Sequence, residues 1–407
     1  MRKNLTLPAL LAAEAVSSTG SAMTFVALPW FVLVTTGSPT RMSIVLAAEI
    51  LPMALLGIPS GSVVARLGAR TSMLVSDLVR APLVALVPVL HWTGQLTFSL
   101  LVLIVFLLGI FMTPYIASQR SIIPEVLGDD EKAVAKASGL FGGAQHLPIV
   151  IGPSIAGALI GWIGTAPLLV VDGATFLFAF VVVLTLVRGG HPVVDDESSR
   201  GLMAGVRFVW RDRLLRSFSL ITIVLDGAAN GITVAVPLLA YTRYDRDPHI
   251  AGWIFTAFGV GAIAGSVLVM KLLDRFSPLK LAAFALVAAT LPLWIVVAPV
   301  PWPVVGAAVV LCGLFVPMVN APIMGIITTR PPAALRAKVM TAVMAASGSC
   351  GPLGRLIIGP LYRFHGNAAV WTEIAGGMTV GAIAFVVVAW RASPGDAPDL
   401  VPVPPVA

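Results

Sequence analysis

Twelve apolar stretches, each long enough to cross a bilayer, follow one another along the chain with only short polar punctuation between them. They predict helices over 7–35, 42–65, 71–91, 96–118, 137–163 and 166–187. A second set follows over 216–241, 249–272, 280–299, 303–327, 338–362 and 368–390. The second six repeat the punctuation of the first. Val26-Ala27-Leu28-Pro29 returns as Val234-Ala235-Val236-Pro237 at an offset of 208, and Pro114 returns as Pro322 at the same offset. Ile151-Gly152-Pro153 returns as Ile358-Gly359-Pro360 at 207. A register shared by two hydrophobic halves marks a duplicated six-helix unit, and two such bundles can rock about a site between them. The pattern predicts an all-α membrane protein of 12 transmembrane helices in two pseudo-symmetric six-helix bundles, with transport as its work.

Composition removes the alternatives. Of 407 residues, 58% are hydrophobic and 11% charged, with a mean hydropathy of +0.97. A soluble domain carries about 25% charged residues. The net charge of +7 is scattered over short loops, so nucleic acid is not expected as a partner. Cys312 and Cys350 both fall inside apolar spans and form neither a disulfide framework nor a zinc site. No phosphate loop, metal-ligand cluster or nucleophile–base pair is present in the sequence, so we expect no enzyme, cofactor or metal. Met1-Arg2-Lys3 before an apolar run mimics a secretory leader. That run continues to Val34 and carries Glu14, so it reads as the first spanning helix.

Of the 26 lysines and arginines, 20 fall on the side of the two termini. The opposite side holds Arg41, Arg243, Arg246 and Arg363, while Arg80 and Arg355 lie within helices. This bias predicts cytoplasmic termini. The expected organisation is an N-terminal bundle over 1–190, a linker over 191–215, a C-terminal bundle over 216–391 and a disordered, proline-rich tail over 392–407. In the linker, Arg207, Arg211, Arg213 and Arg216 are spaced for one amphipathic helix at the anionic inner leaflet, an anchor rather than a regulatory site.

Between the second and third spans stands Gly61-Ser62-Val63-Val64-Ala65-Arg66-Leu67-Gly68-Ala69-Arg70. It resembles the loop signature G-x-x-x-D-R-x-G-R-R of the major facilitator superfamily, with Ala65 in place of the aspartate. A second copy, beginning Asp274-Arg275, keeps the acid and lies 209 residues later. In the fifth span, Gly152-Pro153-Ser154-Ile155-Ala156-Gly157 resembles the G-P-x-x-G-G element of the superfamily's exporters, with Ala156 for the first closing glycine. Val26 to Trp30, Thr36 to Pro39 and Asp77 to Ala81 look like the branch that includes siderophore exporters and macrolide-efflux-like proteins. The resemblance implies a two-bundle fold in the cell membrane, with the first, fourth, seventh and tenth spans lining a central cavity. It also implies that the second and eleventh spans face one another across the bundles. The arginine often seen in the fourth span of related antiporters is missing.

An ionisable residue inside a span costs about 2.5–3.5 kcal/mol on insertion scales, so each asks for a partner or a task. Asp77 and Arg80, three apart on one helix face, read as a local ion pair supporting the loop gate. Asp226 and Glu14, on spans that the resemblance makes cavity-lining, are proton-coupling candidates, with a hydrogen-bonded structural acid as the alternative for each. Asn230, Asn320, Gln145, His146, Phe25, Met112, Tyr115 and Met318 are substrate-cavity candidates that suit a bulky apolar ligand better than a sugar. Glu49 and Arg355 each lie eight residues inside the far ends of their spans, at Arg41 and Arg363. Equal depth and opposite sign predict an ion pair between bundles that closes the outer gate and favours the inward-open state; the alternative is a partner within each residue's own bundle.

These readings converge on a secondary active transporter, and most concretely on a monomeric proton-coupled exporter of an amphipathic small molecule such as a drug, siderophore or secondary metabolite. Its expected partners are that molecule, protons and the lipid bilayer. Uptake by symport is the alternative, and a non-transporting membrane sensor or assembly protein the remote one.

Overall fold

The computed structural model describes residues 6–119, 121–127, 131–187, 202–332 and 335–391. Within them the chain forms α1 (Thr6–Thr36), α2 (Pro39–Leu67), α3 (Ala69–Trp92), α4 (Phe98–Gln119), α5 (Ile122–Leu127), α6 (Glu131–Ile163) and α7 (Thr165–Leu186). The second half forms α8 (Leu202–Arg211), α9 (Arg213–Arg243), α10 (Pro248–Leu273), α11 (Pro278–Thr290), α12 (Leu293–Val297), α13 (Trp302–Thr329), α14 (Arg336–Gly348) and α15 (Gly351–Arg391). The proline-rich tail and residues 191–201 of the linker expected over 191–215 lie outside the described residues.

Local chemistry sets the helix ends. Ser38 accepts from the Arg41 N–H and Asp247 from the His249 N–H, each followed by a proline in the first turn. Among the described residues, eleven helical segments are long and apolar enough to cross a membrane. The last of them, Lys338–Arg391, has 54 residues, well over twice the roughly 20 that one crossing needs. It is broken at Gly366, where φ is 76° and ψ −172°, a conformation open to glycine and hostile to other residues.

Two interruptions were not foreseen. The ninth span is split into α11 and α12 around Pro292, and the eleventh into α14 and α15 at Ser349 and Cys350, just before Pro352. A proline removes the N–H that would continue the ladder, which explains both breaks. The single amphipathic helix expected from the linker arginines is also corrected. The chain breaks at Asp212, which puts Arg207 and Arg211 on α8 but Arg213 and Arg216 on α9.

In the first half, α1 packs on α6 and α7, α3 on α4 and α7, and α2 on α4. In the second, α9 packs on α15, and α13 on both α10 and α11. Between the halves, α2 packs on α15 and α6 on α10. The cores show where the halves meet. One continuous apolar cluster joins Val26 to Leu33 and Val45 of the first half to Val234 to Ala240, Ile254 and Trp371 of the second. At the other end of the molecule, each half has its own core. Leu10, Met73, Phe141 and Val183 form one, and Leu215, Val339, Val343 and Phe385 another. Both described chain ends lie at this divided end. There, Cβ atoms added to Gly57, Gly139, Gly325 or Gly348 would meet nothing within 4 Å. The two halves are sealed together at the far end and parted at the end bearing Thr6 and Arg391.

Candidate functional site

At the inner edge of the seal, Nη1 of Arg355 on α15 lies 2.9 Å from Oε2 of Glu49 on α2, and donates to the Leu46 carbonyl at 3.0 Å. The pair joins the two halves. The Arg355 side chain is 9% exposed and that of Glu49 25%, so one partner is sealed and the other reaches the opening. A narrow crevice beside them is lined by Thr24, Phe25, Leu28, Leu46 and Thr233. Phe25 meets Phe255 of α10 edge-on, with ring centroids 5.0 Å apart.

From this crevice a polar stripe runs down α9 toward the divided end, at Thr233, Asn230 and Asp226, spaced by about one helical turn. The Asn230 amide donates to the Asp226 carbonyl at 2.9 Å. The Asp226 side chain is half-buried and has no hydrogen-bond or ion-pair partner among the described residues. Asn320 and Met112 are exposed.

Several expected cavity residues face elsewhere. Glu14 is fully buried inside the first half, where it accepts from Ser18 at 2.8 Å, Tyr115 at 3.0 Å and Gln119 at 2.7 Å. Gln145 interacts with the same carboxylate. Tyr115 therefore points into the first half and not into the cavity. Met318 is buried against Val269, Leu281 and Ala285 within the second half. The helices carrying Tyr115 and Met318 are apolar on nearly every side, so their sequences carry no stripe to separate a cavity face from a bundle face. The His146 side chain lies outside the described residues.

The loop motif is rebuilt around an acid that sequence reasoning missed. With Ala65 unable to accept, the Glu125 carboxylate of α5 takes the Ala69 N–H at 2.7 Å, capping the start of α3 after the turn at Gly68. Arg70 donates to the Val187 carbonyl at 2.6 Å and the Leu184 carbonyl at 2.9 Å, closing the end of α7. Gly61 and Arg66 are exposed, as are Asp274 and Arg275 of the second copy. Asp77 and Arg80 stand together as the expected local pair, 3.8 Å apart, about two helical turns along α3 from this loop. They lie buried in the first half, with Arg80 over the ring of Phe176 at 3.9 Å.

A second missed pair ties α8 to the second half. Asp212 accepts from the Leu214 and Leu215 N–H groups and from Nε of Arg330 at 2.6 Å. Nothing in the run of linker arginines singled out the buried acid among them.

The motif of the fifth span brings α6 against two neighbours. Gly152 abuts Ala22 of α1. A Cβ at Gly157 would lie 2.9 Å from the Pro248 carbonyl oxygen of α10, and one at Gly252 would strike the Pro153 carbonyl. Ser154 and Thr256 hydrogen-bond across the same contact. Small residues thus permit backbone-to-backbone approach where the two halves are sealed.

The two halves are thus sealed at one end and parted at the other, with the polar stripe of α9 running from the seal toward the parted end. Residues 3–402 match the transmembrane secretion effector family. The chain belongs to that family of major facilitator transporters. It is accordingly a multi-pass cell-membrane transporter and not an enzyme. Relatives of this transporter include the multidrug efflux pump Tap of Mycolicibacterium fortuitum, 28% identical over 90% of this chain and 91% of the relative. The Tap pump of Mycobacterium tuberculosis is also 28% identical, over 90% and 89%. The fold of the family member matches a point-mutant form of the nucleoside transporter NupG with a TM-score of 0.79, 15% identity, and 94% and 99% of the two chains covered. It also matches an inward-facing, unoccupied bacterial homolog of the lysosomal transporter Spinster, with a TM-score of 0.70, 14% identity and 96% of each chain covered.

Proposed function

We propose that this transporter is a proton-coupled exporter, an antiporter, of amphipathic small molecules of the drug class. In this reading the chain crosses the membrane twelve times, with Gly366 as the turn between the last two crossings and both termini in the cytoplasm. Residues 1–190 and 216–391 are the two rocking bundles.

The observation that carries the reading is the asymmetry of closure. Glu49 and Arg355 cap a cavity that opens toward the terminal face, where the apolar stretch of α2 and the polar stripe of α9 meet the substrate. Asp226 is a half-buried acid without a partner on that stripe, in reach of both a substrate and a proton. Its protonation would release the substrate and let the empty carrier return. Phe25, Asn230, Asn320 and Met112 contribute to binding. The multidrug efflux named for the Tap relatives agrees in direction and in substrate class.

The experiment is transport by the purified chain in proteoliposomes under an imposed pH gradient, with a drug chosen from a susceptibility panel in an efflux-deficient host. Export reading predicts lower susceptibility on expression, together with drug movement driven against the proton gradient. Increased susceptibility on expression favours uptake and contradicts it.

A further inference from the structure

The first bundle holds a set of charges away from the polar stripe of α9. Glu14 on α1, Asp77 and Arg80 on α3 and Asp172 on α7 are 0%, 1%, 5% and 1% exposed. Arg80 is held in place by two rings, Phe176 at 3.9 Å and Tyr115 at 5.2 Å. Three carboxylates stand around one guanidinium. Full ionisation would leave two negative charges uncompensated inside the membrane, each costing about 2.5–3.5 kcal/mol on insertion scales.

Hydrogen bonding distinguishes the three acids. Glu14 receives bonds from Ser18, Tyr115 and Gln119. Asp172 receives one from Thr24 at 2.6 Å and a longer one from Thr175 at 3.3 Å. Both oxygens of Asp77 are buried with no hydrogen-bond partner among the described residues. Its nearest cation, Arg80, lies at 3.8 Å, beyond hydrogen-bonding distance. A carboxylate without donors is costly to bury, whereas the neutral acid costs far less. Arg80 is nevertheless close enough to pair with Asp77 once a proton leaves.

We propose that Asp77 is a proton-binding site of the first bundle, separate from Asp226, and that α1 reads its occupancy through Arg80, Tyr115 and Glu14. The proposal rests on the proton-coupled reading above and gives it a second site. When the carboxyl O–H of Asp77 breaks, the proton goes to water and the carboxylate draws Arg80 toward it. Arg80 then loosens from the ring of Tyr115, whose hydroxyl donates to Glu14 and so ties α4 to α1.

The groups that set this equilibrium come from every neighbouring helix. They are Arg80 on α3 itself, Glu14 on α1, Tyr115 and Gln119 on α4, Gln145 on α6 and Asp172 on α7. Glu49 stands on α2, and Glu125 of α5 and Arg70 lie about two turns away, at the start of α3.

The test is infrared difference spectroscopy of the full-length chain in lipid, titrated with pH. Asp77→Asn is close in shape to the protonated acid, and Asp77→Glu keeps a titratable group. Wild type should show a protonated-carboxyl C=O band that disappears in Asp77→Asn, shifts in Asp77→Glu and persists in Asp226→Asn. In proteoliposomes, Asp77→Asn should lower the protons exchanged per substrate by about one. An unchanged band and unchanged proton count in Asp77→Asn overturn the proposal, even where wild-type transport is proton-driven. Transport by wild type that ignores the pH gradient overturns the proton-coupled reading instead, whatever the band does.

Discussion

Glu49 and Arg355 stand 306 positions apart in the chain and 2.9 Å apart in space, one from each half of the molecule. Removing one partner of a buried pair costs about 3–5 kcal/mol, because the other charge is left without compensation. Glu49→Arg should therefore cut transport at least about tenfold by placing like charges across the seal. Adding Arg355→Glu should restore a measurable part. Transport rates of the two single variants and the double variant check this, and an additive loss in the double variant would refute a direct coupling.

The seal also depends on small residues where α6 meets α10. Gly252→Leu should hold the far end open, since even one added carbon meets the Pro153 carbonyl. Labelling of a cysteine introduced beside Thr233, in a background lacking Cys312 and Cys350, should become faster from the far side of the membrane and slower from the terminal side. Unchanged labelling from both sides would remove this contact from the closing mechanism.

Asp212 predicts a structural effect separable from coupling. Asp212→Ala removes the cap of α9 and a partner of Arg330. Loss of a helix cap alone costs about 0.5–2 kcal/mol. Thermal unfolding in detergent should shift downward, while the number of protons exchanged per substrate stays at the wild-type value. A lower proton number with normal stability would place Asp212 in the coupling machinery.

Much of this architecture is legible in the sequence because the bilayer imposes a simple rule. Backbone groups in hydrocarbon must be satisfied within helices, so apolar runs report the helices directly. The Glu49–Arg355 contact could be anticipated because the family resemblance implies that the second and eleventh spans face one another, and scarce charge at equal depth then restricts the choice of partner. Tyr115 and Met318 show where legibility ends. On helices apolar on every side, the face toward a cavity differs little from the face toward a neighbour. Glu125 and Asp212 were hidden for another reason: each acts on backbone N–H groups, which any sequence supplies equally.

The central claim, that proton movement through Asp226 drives substrate out, is tested most directly by transport in proteoliposomes with an imposed pH gradient. Wild type should accumulate the drug against its own gradient. Asp226→Asn should bind the drug with affinity changed by less than about threefold and lose gradient-driven accumulation. Full pH-dependent transport in the double variant Glu14→Gln/Asp226→Asn would contradict the account.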